Sequence, residues 1–422
     1  MILQLIYKHL SYLQFSRIAS GVSAAQYTRT FFAFHSKYVT AHYWWHYRLR
    51  KCLLGDSSAS SNLSKSGQSK GSVVYIILES KEEEKGIPKK EHKGKSKKEL
   101  KNIVTNSIQS RMFSDVPFGT FLSGGIDSSL VTAIASQQSN SPLKTFSIGF
   151  NEKKYDESGY AKNIADYLKT EHYQFIVTKN EAIAHFEEIM DNFDEPFADT
   201  SALPTYLVSK LAKKHVKMVL TGDGGDELFL GYGSYQWANR LANPYFSLIR
   251  NPLAILMKNF GNNRHKRIAL LLENTQKHLQ AKHIFSQEQY LFSEKEIKDM
   301  LNDEFSVPQK NDATNTKFLN RKISPSEIQA LYDIENYLKD DLLVKVDRTS
   351  MYNSIEAREP LLDYRLVEFA INLPEKFKLH KGESKIILKD VLYDYIPKQY
   401  FERPKKGFSI PLADWLKADL YY

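Results

Sequence analysis

Two stretches of the sequence combine residue types able to hold a phosphate together with its cation. In "SGGIDSS" (Ser123–Ser129), Gly124 and Gly125 permit tight turning and close approach of the backbone to an anion, and the hydroxyls of Ser123, Ser128 and Ser129 can donate to phosphate oxygens. Asp127 is a poor direct phosphate contact but a good magnesium ligand. The Gly-Lys-Ser/Thr ending of a Walker A loop is absent. In "LTGDGGDELFLGY" (Leu220–Tyr232), Asp223, Asp226 and Glu227 stand beside Gly222, Gly224 and Gly225. Acids at a helix start can serve as simple dipole caps, worth roughly 0.3–1 kcal/mol each. Two such loops, each with glycines and a carboxylate, more economically make one magnesium–phosphate site across which Asp127 and Asp226 face each other.

The elements around these loops follow from apolar patterning. Helical spacing at Leu100, Ile103, Val104 and Ile108 predicts a helix over 97–113. A strand at Phe118–Leu122 leads into the first glycine loop, and a helix follows from about Ser128 to Gln137. Further strands are expected at 143–150, 171–178 and 216–222, with helices at 156–168 and 202–215 between them. Strands alternating with helices imply an α/β fold, a doubly wound and mostly parallel sheet with ligands at the carboxyl ends of its strands. From about 235 to 395 the pattern is mainly helical, an added part expected to cover the mouth of the sheet.

Composition narrows the class. The 422 residues suffice for two domains at roughly 150 residues each. One cysteine, Cys52, rules out an internal disulfide and suits a reducing compartment. No apolar stretch approaches the roughly 20 residues that span a bilayer, so a cytoplasmic protein with no membrane partner is expected. Of the formal charge of +9, four units sit in the Lys/Glu run Lys81–Lys101, nine lysines against five acids, which reads as a solvated linker. The balance gives no sign of a nucleic-acid partner.

The organisation expected is therefore three parts. Residues 1–54 are rich in aromatics, 55–96 form a flexible Ser/Gly- and then Lys/Glu-rich linker, and 97–422 form the α/β domain.

"SGGIDSS" resembles a PP-loop, the pyrophosphate-binding loop of ATP pyrophosphatases. With "TGDGGDE", "SIEAREPLLD" and "RPKKGF" it is similar to the synthetase domain of the glutamine-hydrolysing asparagine synthetase family, over residues 97 to about 417. The resemblance implies an ATP-dependent ligase that converts aspartate to β-aspartyl-AMP with release of pyrophosphate, after which ammonia displaces AMP to give asparagine. It assigns Leu122, Ser123, Gly124, Gly125, Asp127, Ser128 and Ser129 to the pyrophosphate, with Thr221 and Gly222 beside the nucleotide. Backbone groups of Ser147, Ile148 and Gly149 would meet the adenine. Asp127 and Asp226 would hold Mg2+, and Lys405 would stabilise the transition state.

A cluster of Asp341, Lys345 and Arg348 falls on one helix face, with Asp347, Glu356 and Arg358 following. It reads equally as ion-pair scaffolding or, for Arg348 in particular, as a group orienting the acyl substrate. "DTSALPTYL" (Asp199–Leu207) is a candidate lining for the acceptor pocket.

Asp223 stands where the family carries a glutamate, a candidate base for the incoming ammonium. The shorter side chain leaves aspartate favoured over a sugar carboxylate as acceptor without deciding between them. The family's N-terminal glutaminase places its catalytic cysteine after the initiator methionine; here that position is Ile2. Glutamine hydrolysis is thus not expected, and ammonia would be free or supplied by a separate glutaminase. Residues 1–54 then look like the remnant of a glutaminase end, and the chain like one truncated at both ends. A non-catalytic remnant is the rival expectation.

Overall fold

The computed structural model describes residues 89–272, 279–289, 300, 321–403, 410–411 and 415. The aromatic-rich N-terminal part, Ile2, Cys52 and Lys405 lie outside them. The chain divides into two units, Met1–Ile77 with Asp194–Phe197, and Leu78–Phe193 with Ala198–Tyr422. The elements below all belong to the second.

Helix α1 (Lys89–Met112) buries Leu100, Val104 and Ile108, one stripe at four-residue spacing. It starts at Lys89, so the end of the expected 55–96 linker is helical. Lysines are good helix formers, and these find partners: Lys93 pairs with Asp390 (2.6 Å), and Lys97 and Lys101 with Asp394 (2.6 and 3.0 Å). Strand β1 (Phe118–Phe121) then leads into α2 (Ile126–Gln138), whose residues Ser128–Ala135 are all buried. Strand β2 (Lys144–Phe150), helix α3 (Ser158–Leu168) and strand β3 (Glu171–Val177) complete the first half of the sheet. After two short helical turns, α4 (Ala202–Ala212) returns the chain to β4 (Met218–Leu220).

Five parallel strands form the sheet in the order β3-β2-β1-β4-β5. β1 is central: Thr120 aligns with Thr145 on one side and Leu220 on the other. The expected doubly wound α/β architecture is observed. β5 (Glu356–Arg358) is an addition to the four expected strands, since Glu-Ala-Arg has no apolar run to mark it. It aligns Ala357 with Val219, and Thr221 N donates to Arg358 O (2.9 Å).

The stretch between β4 and β5 is helical among the described residues. It comprises α5 (Gly225–Leu228), α6 (Gly233–Ala242), α7 (Pro244–Phe260), α8 (Asn263–Leu271), α9 (Gln280–Glu288), α10 (Pro325–Asp333) and α11 (Leu343–Tyr352). A π-helical segment, Ile334–Leu342, joins α10 to α11. Beyond β5 come α12 (Tyr364–Asn372), a two-stranded hairpin (Leu379–His380 with Glu383–Ser384) and α13 (Ile386–Leu392). The main core gathers α1, α2, α12 and α13 with β1 and β4, through Leu130, Ile134, Met218, Leu366 and Leu388 among others.

Leu130→Ala, in the fully buried α2, is expected to cost about 2–5 kcal/mol. Leu248→Ala, on an exposed face of α7, should change stability by less than about 0.5 kcal/mol. Urea unfolding of the two variants beside wild type checks the contrast.

Candidate functional site

The sheet order reverses between β1 and β4: the chain proceeds outward through β2 and β3, then crosses back. In an open parallel sheet the loops leaving two such strands diverge and leave a crevice for a ligand. Both glycine-rich stretches are those loops. In the first, Ser123 Oγ and Ser128 Oγ share a hydrogen bond (2.9 Å), and Ser128 Oγ also accepts from Ser123 N (3.2 Å). Gly124 has φ +76°, and a Cβ there would meet Ala161 N at 2.9 Å, so only glycine fits both the conformation and the space. Gly222 in the second loop is equally constrained, since a Cβ would lie 2.6 Å from Ser128 N. The two loops therefore touch backbone to backbone, and Thr221 is buried at the junction.

This contact brings the expected carboxylates together around a residue the sequence reading did not single out. Lys385 Nζ bonds Asp127 Oδ2 and lies 2.7 Å from Asp226 Oδ1. The lysine is only 4% exposed and has φ 55°, a left-handed conformation unusual outside glycine. It leaves the hairpin just before α13, its amide donating to Phe229 O (3.2 Å). Burial alone would lower its pKa, but the two aspartates outweigh burial and hold the ammonium above the ordinary lysine value.

Asp127 and Asp226 thus converge on the Lys385 ammonium. Two hard oxygen donors on neighbouring loops fit Mg2+. The hydroxyls and amides at the start of α2 suit a polyphosphate.

Two further carboxyls are buried here. Glu227, in α5, accepts from Tyr232 Oη (2.7 Å); burial, then repulsion by Asp226, pushes its pKa up to about 8. Glu359, in the segment after β5, is likewise raised to about 8 by burial and by Asp223.

Ser147 is buried in β2, its hydroxyl 3.0 Å from His172 Nε2 on β3, while Thr145 takes Nδ1 at 2.8 Å. The side chain is used within the sheet, where Ser147, Ile148 and Gly149 pair with Gln174, Phe175 and Ile176 of β3. Ile148 is buried, and Gly149 is backed by Asp156 and Ser158.

Arg403, the first residue of the late basic motif, donates to Gly124 O (2.9 Å), pairs with Glu157 (2.9 Å) and covers the Tyr160 ring.

The family model for asparagine synthase matches residues 99–422. The chain belongs to the asparagine synthase family. It is 33% identical over 331 residues to asparagine synthetase [glutamine-hydrolyzing] 1 of Bacillus subtilis, covering 76% of this chain and 51% of that protein. A putative asparagine synthetase of Mycobacterium bovis is 31% identical over 323 residues, covering 76% and 49% respectively. A putative asparagine synthetase [glutamine-hydrolyzing] 2 of Methanocaldococcus jannaschii is 48% identical over 139 residues, 32% of this chain and 26% of that protein. The chain spans about half the length of the first two.

A second polar cluster in this family member joins the expected acceptor stretch to α11. Lys345 Nζ bonds Asp199 Oδ2 (2.9 Å) and Ser201 Oγ (2.7 Å). Asp341 is raised to about 7, by burial and by the neighbouring Asp199. The π-helical segment ends at Leu342 and α11 carries on to Lys345, so both residues reach Asp199. Arg348 lies one turn further on, half-buried, its carbonyl accepting from Asn192 Nδ2 (2.7 Å). The scaffolding reading holds for Glu356 and Arg358, which pair with each other (2.7 Å) while Arg358 also donates to Arg111 O (2.8 Å).

Lys385, Glu359 and Arg403 are the residues sequence reasoning missed. Lys385 is one of 58 basic residues, and only its place between a hairpin and an apolar helix distinguishes "GESKIIL".

Glu227 and Glu359 make a pH prediction. The folded protein keeps two protons that the unfolded chain releases near pH 4.5, so stability falls as pH rises from about 4.5 to about 8. The slope is about 1.4 kcal/mol per pH unit for each group. Asp363, held near 2 despite burial by Arg365 and Arg111, is ionised in both states across that window and leaves the slope unchanged. Urea midpoints at several pH values should show the fall, and Glu227→Gln with Glu359→Gln should reduce it, the buried Asp341 and Asp333, each raised to about 7, carrying the part that remains.

Proposed function

We propose that this chain is an ATP-dependent amide-forming synthetase that activates a carboxylic acid, aspartate in preference, as its acyl-adenylate and passes it to ammonia. The observation that carries this reading is the meeting of Asp127 and Asp226 around one buried cation, where two glycine loops touch. A site built to hold a cation between two carboxylates at the mouth of a helix suits the leaving group of an adenylation, pyrophosphate. In that reaction a carboxylate oxygen of the acceptor bonds the α-phosphorus as the bond to pyrophosphate breaks. Ammonia then bonds the acyl carbon and AMP departs, leaving the amide.

Each residue's part follows from its place. The hydroxyls of Ser123, Ser128 and Ser129 and the amides at the start of α2 hold the pyrophosphate, with Leu122, Gly124, Gly125, Thr221 and Gly222 shaping the cradle. Mg2+, held by Asp127 and Asp226, would neutralise the charge that develops on the departing pyrophosphate. Backbone groups of Ser147–Gly149 meet the adenine.

Lys385 is placed to pass its ammonium from the carboxylates to phosphate oxygens, a part that the sequence reading gave to Lys405. Lys405 is retained as a second phosphate contact. Asp223 takes a proton from ammonium while the neighbouring Glu359 keeps its own. Asp199, Ser201 and Lys345 orient the acceptor, with Arg348 beside them. Ammonia is free or comes from a separate glutaminase.

Pyrophosphate release from the purified chain with ATP, magnesium and ammonium tests this. Release should require aspartate, and Asp127→Ala and Lys385→Ala should lower it by roughly 10²–10³-fold or more. Release with a sugar acid and not with aspartate would keep the chemistry and change the acceptor. No release with either, from protein with an intact cooperative unfolding transition, would overturn the reading.

A further inference from the structure

Helix α7 carries apolar residues on two faces. One face, with Phe246, Leu253, Ala254 and Met257, packs against Trp237, Leu241, Ile268, Leu272 and their neighbours. The other is a stripe at helical spacing: Tyr245, Leu248, Ile249, Pro252, Ile255, Leu256 and Phe260. Its large residues are exposed, Tyr245 by 81%, Leu248 by 78% and Phe260 by 84%. The stripe covers more than a third of the helix circumference along a helix of about 25 Å. Its aromatic members stand at the two ends. Exposed apolar residues scattered singly are ordinary, but a continuous stripe of this length needs a partner.

The charge around the stripe indicates which partner. From Leu228 to Leu272 the sequence contains six basic residues and no acid; Arg250 turns inward to Leu272 O (3.1 Å) and Arg240 lies over the Trp237 ring, while Lys258 and Lys266 are exposed. Lys258 is exposed and flanks the stripe on the solvent side of α7. The Gly261–Asn262 turn then leads from Phe260 directly into α8, where Lys266 is exposed. A protein partner matched to this surface would need an acidic rim around an apolar centre. An anionic bilayer supplies both properties over an unlimited area: acyl chains for the stripe and headgroups for the cations. No helix among the described residues is long and apolar enough to cross a membrane, so the contact is one of lying on the surface.

We propose that α7, with the basic turn into α8, docks this protein reversibly on an anionic lipid surface. The stripe inserts among the acyl chains near the headgroups, and Lys258 and Lys266 lie level with the phosphates. This departs from the expectation of no membrane partner, which rested on spanning segments alone.

Co-sedimentation of the full chain with vesicles tests the proposal. Wild type should sediment with phosphatidylcholine vesicles containing roughly 30% phosphatidylglycerol and remain in solution with pure phosphatidylcholine. Lys258→Ala should weaken partitioning about fivefold, the worth of one basic residue near such a surface. Leu248→Glu with Ile255→Glu should abolish it while the circular dichroism spectrum and unfolding midpoint stay at wild-type values. Should that pair disturb folding, Phe260→Ser carries the same test at the exposed end of the stripe. Failure of wild type to sediment, equal binding to neutral and anionic vesicles, or unchanged binding by the stripe variants would each overturn the proposal. So would a wild-type dimer that Leu248→Glu converts to monomer, since the stripe would then belong to a second copy.

Discussion

One ammonium between two carboxylates sets the terms for everything around it. Lys385, Asp127 and Asp226 come from three distant parts of the chain, yet all three are largely removed from water. Breaking a buried ionic contact by deleting one member leaves a charge with its solvation lost, at about 3–5 kcal/mol. The trio carries two negative charges and one positive. Burial is the main reason that the adjacent Glu227 keeps a proton, and the charge of Asp226 adds to it. The remaining negative charge of the trio makes the site one that favours further cations.

The geometry of that contact is delivered by the sheet. β1 and β4 are neighbours, so their carboxyl-end loops meet; glycine at 222 and 225 lets the second loop close onto Asp127 and Ser128 of the first. Around this centre the polar groups continue outward. Tyr232 donates to Glu227 and packs edge-on against Tyr337 (6.1 Å), whose hydroxyl lies in the field of Asp199, Asp341 and Glu227. Asp199 in turn binds Lys345. The band thus links the cation site to the second polar cluster. The π-helical segment Ile334–Leu342 carries Tyr337 and Asp341, and π-helical turns recur at functional sites because they reset the phase of side chains.

The helical stretch between β4 and β5 serves two surfaces at once. Its inner side supplies Tyr232 and Tyr337 to the polar band, while α7 keeps an apolar stripe facing outward amid basic residues. A helix that is apolar on two faces costs solubility unless the second face has a use. The proposed adenylation site within the sheet and the proposed lipid contact on α7 draw on different residues, so one can be altered without the other.

Much of this was legible in the chain itself. β1 to β4 announce themselves as apolar runs, β1 and β4 beside glycine loops, and glycines, hydroxyls and one aspartate next to a helix start are the residue types suited to an anion. The family resemblance rests on those same motifs. Other features were hidden for physical reasons. β5 is three residues long and reads Glu-Ala-Arg; it is a strand because Val219 and Ala357 are brought into register, which is a property of the sheet and not of the tripeptide. The start of α1 is concealed in a Lys/Glu run whose lysines meet Asp390 and Asp394 some 300 residues away. Lys385 looks like any lysine until a hairpin and a left-handed backbone point it at two aspartates. Sequence by itself determined which chemical groups the chain would carry and the order of the elements that carry them, because local patterning and backbone preferences act over a few residues. Only the tertiary structure decided which of those groups meet, because burial and charge act through space between positions as far apart as 127, 226 and 385.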